Sequence, residues 1–410
     1  MSTTATFAPQ RLACARLGVG LIFLANGASF ASLVPRLPEV KDELDLSNSV
    51  FGLAVAAFPF GALVAGLFAG VLIRRFGSQV VAWAGMMLAM LAILGAAAAP
   101  SLALFGAAIF MAGASDSITD VAQNHHALRV QKLMKRSIIN SYHAMWSVGA
   151  LMGGVLGGAA LAIDLPRLAH LAIVAVLLLT VTTIGWKKML PGPEHEVGDT
   201  IATDTSAHEG ANRAWLKHPV IVLAALSVLA LAGAVIEENP GTWATLYMRN
   251  ELGQGGSMAV AAYIAAMAMH FLGRVTGDPL VNRFGQRRMA FLGGTLAAVG
   301  MGLAIAVPTP WTTVLGYAMA GYGIATVIPS VFEAADAMPG LKPGTALTVT
   351  SLVLRVGFLV SPPLVGLIAD ATSLRWGLLV VPASGLLVLA LAWVLSPAKD
   401  ALDTPVAASR

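Results

Sequence analysis

Twelve long apolar segments constrain the fold of this chain more than any other feature of its sequence. A helix needs about 20 mostly apolar residues to cross the roughly 30 Å of hydrocarbon in a bilayer. Only 11% of the residues are charged, whereas a soluble globular protein carries about 25%. We therefore predict an all-α membrane protein with twelve transmembrane helices, at 12–34, 49–72, 79–98, 102–124, 138–160, 167–186, 219–246, 258–277, 287–306, 311–333, 345–369 and 374–395.

The basic residues are distributed unevenly between the predicted loops. With both termini in the cytoplasm, nineteen of the 25 Lys and Arg residues lie on the cytoplasmic side and five lie outside. Cytoplasmic loops carry such an excess, so we predict a multi-pass protein of the plasma membrane (the bacterial inner membrane) with both termini cytoplasmic. The same asymmetry explains the net charge of +4. The expected partners are membrane lipid, protons and a small-molecule substrate, with no nucleic acid, and we expect a monomer.

Three short motifs recur at a single spacing of 208 residues. They are Arg75-Phe76-Gly77 with Arg283-Phe284-Gly285, Met111-Ala112-Gly113 with Met319-Ala320-Gly321, and Val148-Gly149 with Val356-Gly357. Six predicted spans separate the two copies, so both copies have the same orientation in the membrane. The sequence therefore predicts two similar six-helix halves, 1–186 and 218–410, joined by a polar cytoplasmic linker at 187–217.

The loops that carry the first motif resemble those of a known family. Residues 70–77 read GVLIRRFG and residues 273–285 read GRVTGDPLVNRFG, which is similar to the signature loop of the major facilitator superfamily. The resemblance implies two pseudo-symmetric six-helix bundles and a cytoplasmic gate, for which we select Arg74, Arg75, Asp278 and Arg283. Both copies lack the usual aspartate, which is replaced by Arg74 and Asn282, and Asp278 is the candidate substitute.

Two further motifs resemble a narrower group within that superfamily. Residues 119–124, TDVAQN, resemble the acidic motif of fucose-permease-like sugar:proton symporters. His143 with 146–149, and Glu237 followed by Trp243, resemble proteins near the rhizopine-type membrane proteins. The first likeness implies a proton-coupling role for Asp120. Helix 1 departs from it, because it offers Asn26, Ser29 and Ser32 where those symporters also have an acid.

Polar residues recur at helical spacing on one side of several spans. Ionisable groups inside a membrane are costly and usually face a cavity or a partner, so these stripes predict a shared aqueous site. We predict proton coupling at Asp116, Asp120 and Glu237. Substrate binding is predicted at Asn26, His143, Trp146, Glu237, Tyr322 and Arg355.

Each assignment has a structural alternative. Asp120 could be bonded to a neighbouring helix, Glu237 could cap a helix broken at Pro240-Gly241, and His143 could be a packing histidine. Arg355 stands near the middle of helix 11, where its side chain reaches neither surface easily. It either pairs with Asp120, Glu237 or Glu333, or it binds an anionic part of the substrate.

These features predict a secondary active transporter, not an enzyme. We expect proton-coupled movement of a small polar organic solute, either a sugar- or cyclitol-like molecule or an organic anion, by alternating access. Drug or metabolite efflux by proton antiport is the alternative, because the glycines at 149–158 resemble the motif of drug:proton antiporters; simple helix packing also accounts for them. No metal site or cofactor is expected, since the spans contain a single thiol, Cys14, and no paired His/Glu signature.

Overall fold

Twelve long helices make up the membrane part of the protein. The computed structural model describes residues 9–134, 138–191, 219–338 and 345–395, apart from the side chain of Asn140. The described residues form helices and turns, with no β-strand among them. The twelve spans, α1 to α12, are Pro9–Glu43, Asn48–Phe76, Ser78–Ala97, Leu102–Met134, Ser141–Ala162, Arg167–Lys188, Pro219–Ala244, Gly256–Phe284, Gln286–Ala306, Pro310–Asp336, Thr345–Ala371 and Leu374–Val394. The predicted fold class and number of spans are confirmed.

Several helices continue beyond the apolar runs that predicted them. The helix α4 ends at Met134 instead of at 124, and α11 ends at Ala371 instead of at 369. The apolar run marks only the segment that lies in hydrocarbon, while the backbone hydrogen bonds continue into polar surroundings. The predicted linker lies mostly outside the described residues, because the description stops at 191 and resumes at 219.

Two helices differ from the prediction inside the membrane. The expected break in α7 is instead a widened helix, because the α-helix Pro219–Asn239 continues as π-helix over Pro240–Ala244. A proline cannot donate a backbone hydrogen bond, and a wider turn accommodates the missing bond without ending the helix. In α10 the helix is interrupted between Ile324 and Val327, so residues on the two sides of that point do not lie along one continuous helix.

The described chain separates into two compact units. The first contains residues 9–191, 241–267 and 362–377, and the second contains residues 219–240, 268–361 and 378–395. Segments from the second sequence half therefore belong to the first unit. The predicted domain boundaries at 186 and 218 remain a prediction about the sequence repeat.

Glycines allow the helices of the first unit to approach closely. A Cβ atom on Gly27 of α1 would meet the carbonyl oxygen of Trp146 in α5, and a Cβ atom on Gly149 would meet that of Leu24. The helices α2 and α4 are joined in the same reciprocal way, through Gly61 and Gly113. Small residues at such crossings allow dense van der Waals packing in lipid.

The glycines of α5 are all used in this packing. Gly153 and Gly157 contact Ala28 and Pro35 on one side, and Gly154 and Gly158 contact Tyr263 and Val260 of α8 on the other. These contacts are what the packing interpretation predicts.

The second unit repeats two backbone features of the first. Gly357 of α11 packs on Leu231 of α7, as Gly149 packs on Leu24. Gly77 has φ 81° and Gly285 has φ 84°, in a region that residues with a side chain adopt only with strain. The matching conformations at the same place in the repeat support the internal duplication predicted from the sequence.

The chain is held firmly where α6 ends. Arg11 donates to the carbonyl oxygens of Lys188 and Met189, at 3.4 and 2.8 Å. The buried His126 accepts a hydrogen bond from the backbone N–H of Leu190 at 3.1 Å and contacts Ser78 Oγ at 2.8 Å. Side chains of α1 and α4 thus fix the last described residues before position 192.

A carboxylate caps the first turn of α2. Both oxygens of Asp370, at the end of α11, accept backbone hydrogen bonds, from the N–H groups of Asn48 and Ser49 at 2.8 Å each. The Ser47 hydroxyl accepts from the N–H of Val50 at 3.3 Å. Three of the four N–H groups that a helix leaves free at its start are therefore bonded, one pair of them by a residue more than 300 positions away in the sequence.

Candidate functional site

A hydrogen-bonded cluster of polar side chains lies among α1, α4 and α5, with Asn26 at its centre. Asn26 Nδ2 donates to Asp116 Oδ1 at 2.7 Å. Asn26 Oδ1 accepts from the indole N–H of Trp146 at 3.0 Å and from Gln123 Nε2 at 3.2 Å. Asn26 is 3% exposed, so the cluster lies inside the first unit. We call these residues, together with Asp120, the Asn26 cluster.

The indole of Trp146 fixes the orientation of the Asn26 amide. An indole N–H is a donor only, so the atom of Asn26 that faces it must be the carbonyl oxygen. The amide nitrogen then faces Asp116, and the contacted oxygen of that carboxyl acts as an acceptor. Trp146 and Asp116 are therefore linked through Asn26, because each of them is hydrogen-bonded to it.

The second acid of α4 joins the cluster through a different amide. Asp120 Oδ1 accepts from Gln123 Nε2 at 3.1 Å and from Asn124 Nδ2 at 3.0 Å. Asp120 is exposed, whereas Asp116 is half-buried. The two acids stand one helical turn apart, which places their Cβ atoms about 5–6 Å from each other.

His143 stands on α5, one turn before Trp146. Its ring lies edge-on to Phe23, with 5.6 Å between the ring centres, and its side chain is exposed. This position is compatible with both interpretations made from the sequence, an aromatic packing contact and a polar group open to a cavity.

The second unit contains an ion pair that the sequence analysis did not predict. Arg274 of α8 lies 3.3 Å from Glu237 of α7, with the two side chains 36% and 24% exposed. His270 is buried one turn before Arg274. Glu237, predicted from the sequence to serve substrate and proton, therefore has a basic partner on the neighbouring helix.

The two other predicted residues of this unit have different surroundings. The Tyr322 hydroxyl contacts Thr276 Oγ1 at 3.1 Å, and Tyr322 lines a small pocket beside Gly273 and Thr326. Arg355 is exposed on α11 and makes no hydrogen bond or ion pair with any residue that the structure describes. Ion pairing with a protein acid was one of the two alternatives for Arg355, and it is not formed among the described residues; Glu237 binds Arg274 instead.

The four predicted gating residues are exposed and lie near the C-terminal ends of α2 and α8, beside the loops that lead to α3 and α9. The guanidinium of Arg75 lies 5.3 Å from the ring centre of Phe76, and that of Arg283 lies 5.2 Å from the ring centre of Phe284. The paired cation–π contacts repeat the duplicated motif in each unit. Arg74 and Asp278 are exposed and make no hydrogen bond or ion pair with the described part of the chain.

Sequence reasoning missed Gln123 and Arg274 as members of these groups. Gln123 is fully buried and stands three residues after Asp120, on the same side of the helix. Arg274 lies 37 residues from its partner, which stands on another helix. The spacing of residues along one helix does not determine its contacts with other helices, so it could not assign either residue to its group.

Comparison with known proteins agrees with the fold. Residues 19–278 and 240–409 match the model of the Major Facilitator Superfamily. Uncharacterized transporter y4wD of Sinorhizobium fredii is 30% identical over 386 residues, which cover 94% of this chain and 99% of that protein. Membrane protein MosC of Rhizobium meliloti is 27% identical over 90% of this chain and 87% of its own.

A solved transporter has the same fold. The crystal structure of a D-xylose-proton symporter superposes with a TM-score of 0.70 at 16% identity, covering 94% of this chain and 97% of that one. The resemblance predicted from the loop motifs is confirmed, and so is the prediction that the protein is not an enzyme. The chain is a membrane transporter that belongs to the Major Facilitator Superfamily.

Proposed function

We propose that this transporter moves a small polar organic solute, either a sugar- or cyclitol-like molecule or an organic anion, by alternating access coupled to protons. The observation that carries the proposal is the Asn26 cluster, in which two carboxyl groups are linked by amides to an indole inside the membrane domain. Ionisable groups are costly at this depth unless they serve a pathway or a partner.

The cluster contains the groups needed for both tasks. The acids Asp116 and Asp120 can bind and release a proton, and Asp120 is exposed and so accessible to it. Trp146 is half-buried, and its ring can pack on the apolar face of a solute ring while its N–H stays bonded to Asn26. We assign proton coupling to the two acids, with Glu237 as a further proton site in the second unit.

The second unit supplies polar groups of opposite charge. Arg355 is an exposed guanidinium on a membrane helix, and a guanidinium stays protonated in proteins. We propose that Arg355 binds an anionic group of the solute. We also propose that Glu237 and Tyr322 of this unit, and His143 of the first unit, bind the solute. Drug or metabolite efflux by proton antiport is the second candidate, and the contacts of the α5 glycines favour their role in helix packing over that motif.

We further propose the orientation given by the positive-inside rule, with both termini cytoplasmic in a bacterial inner membrane. The helix ends that carry Arg74, Arg75, Asp278 and Arg283 then lie on the cytoplasmic side and form its gate.

Transport by purified protein in proteoliposomes tests the proposal. Vesicles containing a pH-sensitive dye are placed in acidic medium, and D-xylose, myo-inositol and succinate are added separately. At least one solute is expected to acidify the interior and to accumulate above its external concentration. Asp120→Asn is expected to keep exchange of that solute and to lose its accumulation. Accumulation by Asp120→Asn equal to wild type would refute the proton role, and no response to any polar solute or anion would refute the substrate class.

A further inference from the structure

Among the described residues, Gln123 takes part in the hydrogen bonds that connect the two acids of α4. Its Nε2 atom donates to Asp120 Oδ1 at 3.1 Å and to Asn26 Oδ1 at 3.2 Å. Asn26 in turn donates to Asp116 Oδ1 at 2.7 Å. A continuous series of hydrogen bonds therefore runs from the exposed acid, through two amides, to the half-buried acid.

Burial of the Gln123 side chain costs free energy. The side chain is fully buried, and its Oε1 atom has no hydrogen-bond partner among the described residues. A buried carbonyl oxygen without a partner costs about 1–3 kcal/mol. An apolar residue of the same shape would avoid that cost, but Asp120 and Asn26 would then keep only the donors Asn124 and Trp146, and the link between them would be lost.

Each amide is fixed in one orientation. Gln123 must present its nitrogen to Asp120 and Asn26, since both contacted atoms are acceptors in this arrangement. The indole N–H of Trp146 independently holds the Asn26 oxygen toward the same side. A change in charge at Asp120 therefore cannot be absorbed by an amide flip, and it alters the strength of the next hydrogen bond instead.

We propose that Gln123 is a positioning residue that links protonation of Asp120 to protonation of Asp116. When Asp120 is ionised it polarises the Gln123 amide, whose second N–H then donates more weakly to Asn26. Asn26 becomes a weaker donor to Asp116, so a negative charge on one acid disfavours a negative charge on the other. The repulsion between two carboxylates one turn apart has the same sign, and the pair holds one proton more readily than none or two.

Other titratable or charged groups stand near the cluster on the same helices. Those within two helical turns of a cluster residue, on α1, α4 and α5, are His125, His126, Arg129, Tyr142 and His143. His126 and Arg129 bond to the backbone at 190–191, and Tyr142 and His143 pack on Phe23. The neighbouring helix α3, whose Met86 contacts Asn26, has no titratable residue.

The inference deepens the proposed function, because it concerns how the same acids take up the coupling proton. The proposal requires the amides of Gln123 and Asn26 specifically. It is therefore tested by removing the Gln123 amide while leaving every charged group in place.

The first experiment uses protons alone as the probe and needs no solute. Infrared difference spectra of the purified full-length protein are recorded across pH, and the carboxyl bands are assigned by their loss in Asp116→Asn and Asp120→Asn. Gln123→Met is expected to raise the proton affinity of Asp120 about three- to tenfold, the effect of one lost hydrogen bond. A smaller rise is expected at Asp116, which Gln123 reaches only through Asn26.

The matched control is Gln79→Met. Gln79 is also a glutamine of the first unit, and its amide donates to the carbonyl oxygen of Trp186 at 2.8 Å, away from the cluster. It is expected to leave both carboxyl bands unchanged. A folded Gln123→Met protein in which the Asp116 band titrates as in wild type would overturn the proposal, as would an equal change in Gln79→Met.

A second experiment uses whichever of D-xylose, myo-inositol or succinate is transported in the proteoliposome assay. Gln123→Met is expected to lower the accumulation ratio about tenfold while exchange of that solute proceeds as in wild type. Loss of exchange and accumulation together would assign Gln123 a merely structural role. If none of the three solutes is transported, the proposed function fails, and the infrared titration still decides the role of Gln123.

Discussion

Replacing Asp370 by alanine removes both oxygens that cap the first turn of α2. The backbone N–H groups of Asn48 and Ser49 lose their 2.8 Å hydrogen bonds, while the N–H of Val50 keeps its bond to the Ser47 hydroxyl. Loss of one N-cap acceptor costs about 0.5–2 kcal/mol. Because Asp370 is exposed, we take the lower part of that range for each bond, about 1–2 kcal/mol in total.

That free energy corresponds to a factor of about 5–30 in the equilibrium between capped and uncapped states. Hydrogen exchange reports it directly, because the two amides exchange only when their bonds to Asp370 open. In Asp370→Ala the exchange rates at Asn48 and Ser49 are expected to rise about 5–30-fold. The Val50 amide is the internal reference and is expected to change little.

Asp45→Asn is the matched control. It removes the same charge from an exposed position just before α2, and Asp45 has φ 49°, which asparagine also tolerates. Its side chain makes no hydrogen bond or ion pair with the described residues. If Asp370→Ala leaves the two amides as protected as Asp45→Asn does, Asp370 does not hold the start of α2, and the free energy assigned to its two bonds is wrong.

Three further predictions concern charge, aromatic contact and backbone. Arg355→Gln is expected to weaken binding of anionic solutes more than tenfold, about one charged hydrogen bond, and to leave neutral solutes unaffected; equal loss for both solute classes in a binding assay contradicts an anion role. Trp146→Phe keeps an aromatic ring but removes the donor to Asn26. Accumulation driven by the proton gradient is therefore expected to fall more than the affinity for the solute, and measurements of the accumulation ratio and of KM check this. Gly77→Ala is expected to lower the melting temperature, because a residue with a side chain at φ 81° costs about 1–3 kcal/mol. Gly106→Ala is expected to raise the melting temperature slightly, because Gly106 lies in a helix with no atom near the added Cβ. Melting curves that place the two variants in the opposite order would show that the backbone at Gly77 is not strained.

The membrane helices could be predicted from the sequence because they depend on a local property. A run of about 20 apolar residues identifies a span without knowledge of its neighbours, and the recurrence of Arg75-Phe76-Gly77 identified the repeat. The exact ends of the helices were harder to predict. The helix α4, for example, continues to Met134, through residues whose composition does not distinguish a helix from a loop.

The membership of the Asn26 cluster could be predicted only in part. Helical spacing placed Asp116 and Asp120 on one side of α4, and Asn26 was one of three polar residues of α1 that stand where the symporters have an acid. The bond between Asn26 and Trp146 joins residues 120 positions apart, and no local pattern determines which helices pack together. The surroundings of Arg355 could not be predicted either. Its charge indicated a negative partner, in the protein or on the solute, but its exposure in the structure depends on how the surrounding helices pack.

The fixed end of α6 has a practical consequence for engineering this protein. Arg11 and His126 bind the backbone at 188–190, so the path of the chain up to that point is set by α1 and α4. Tolerance of insertions depends on whether the neighbouring backbone is already held by such bonds. A fluorescent reporter or a protease site placed after residue 195 is therefore expected to leave the first six helices intact, and cleavage there would give two chains whose ability to transport together can be measured.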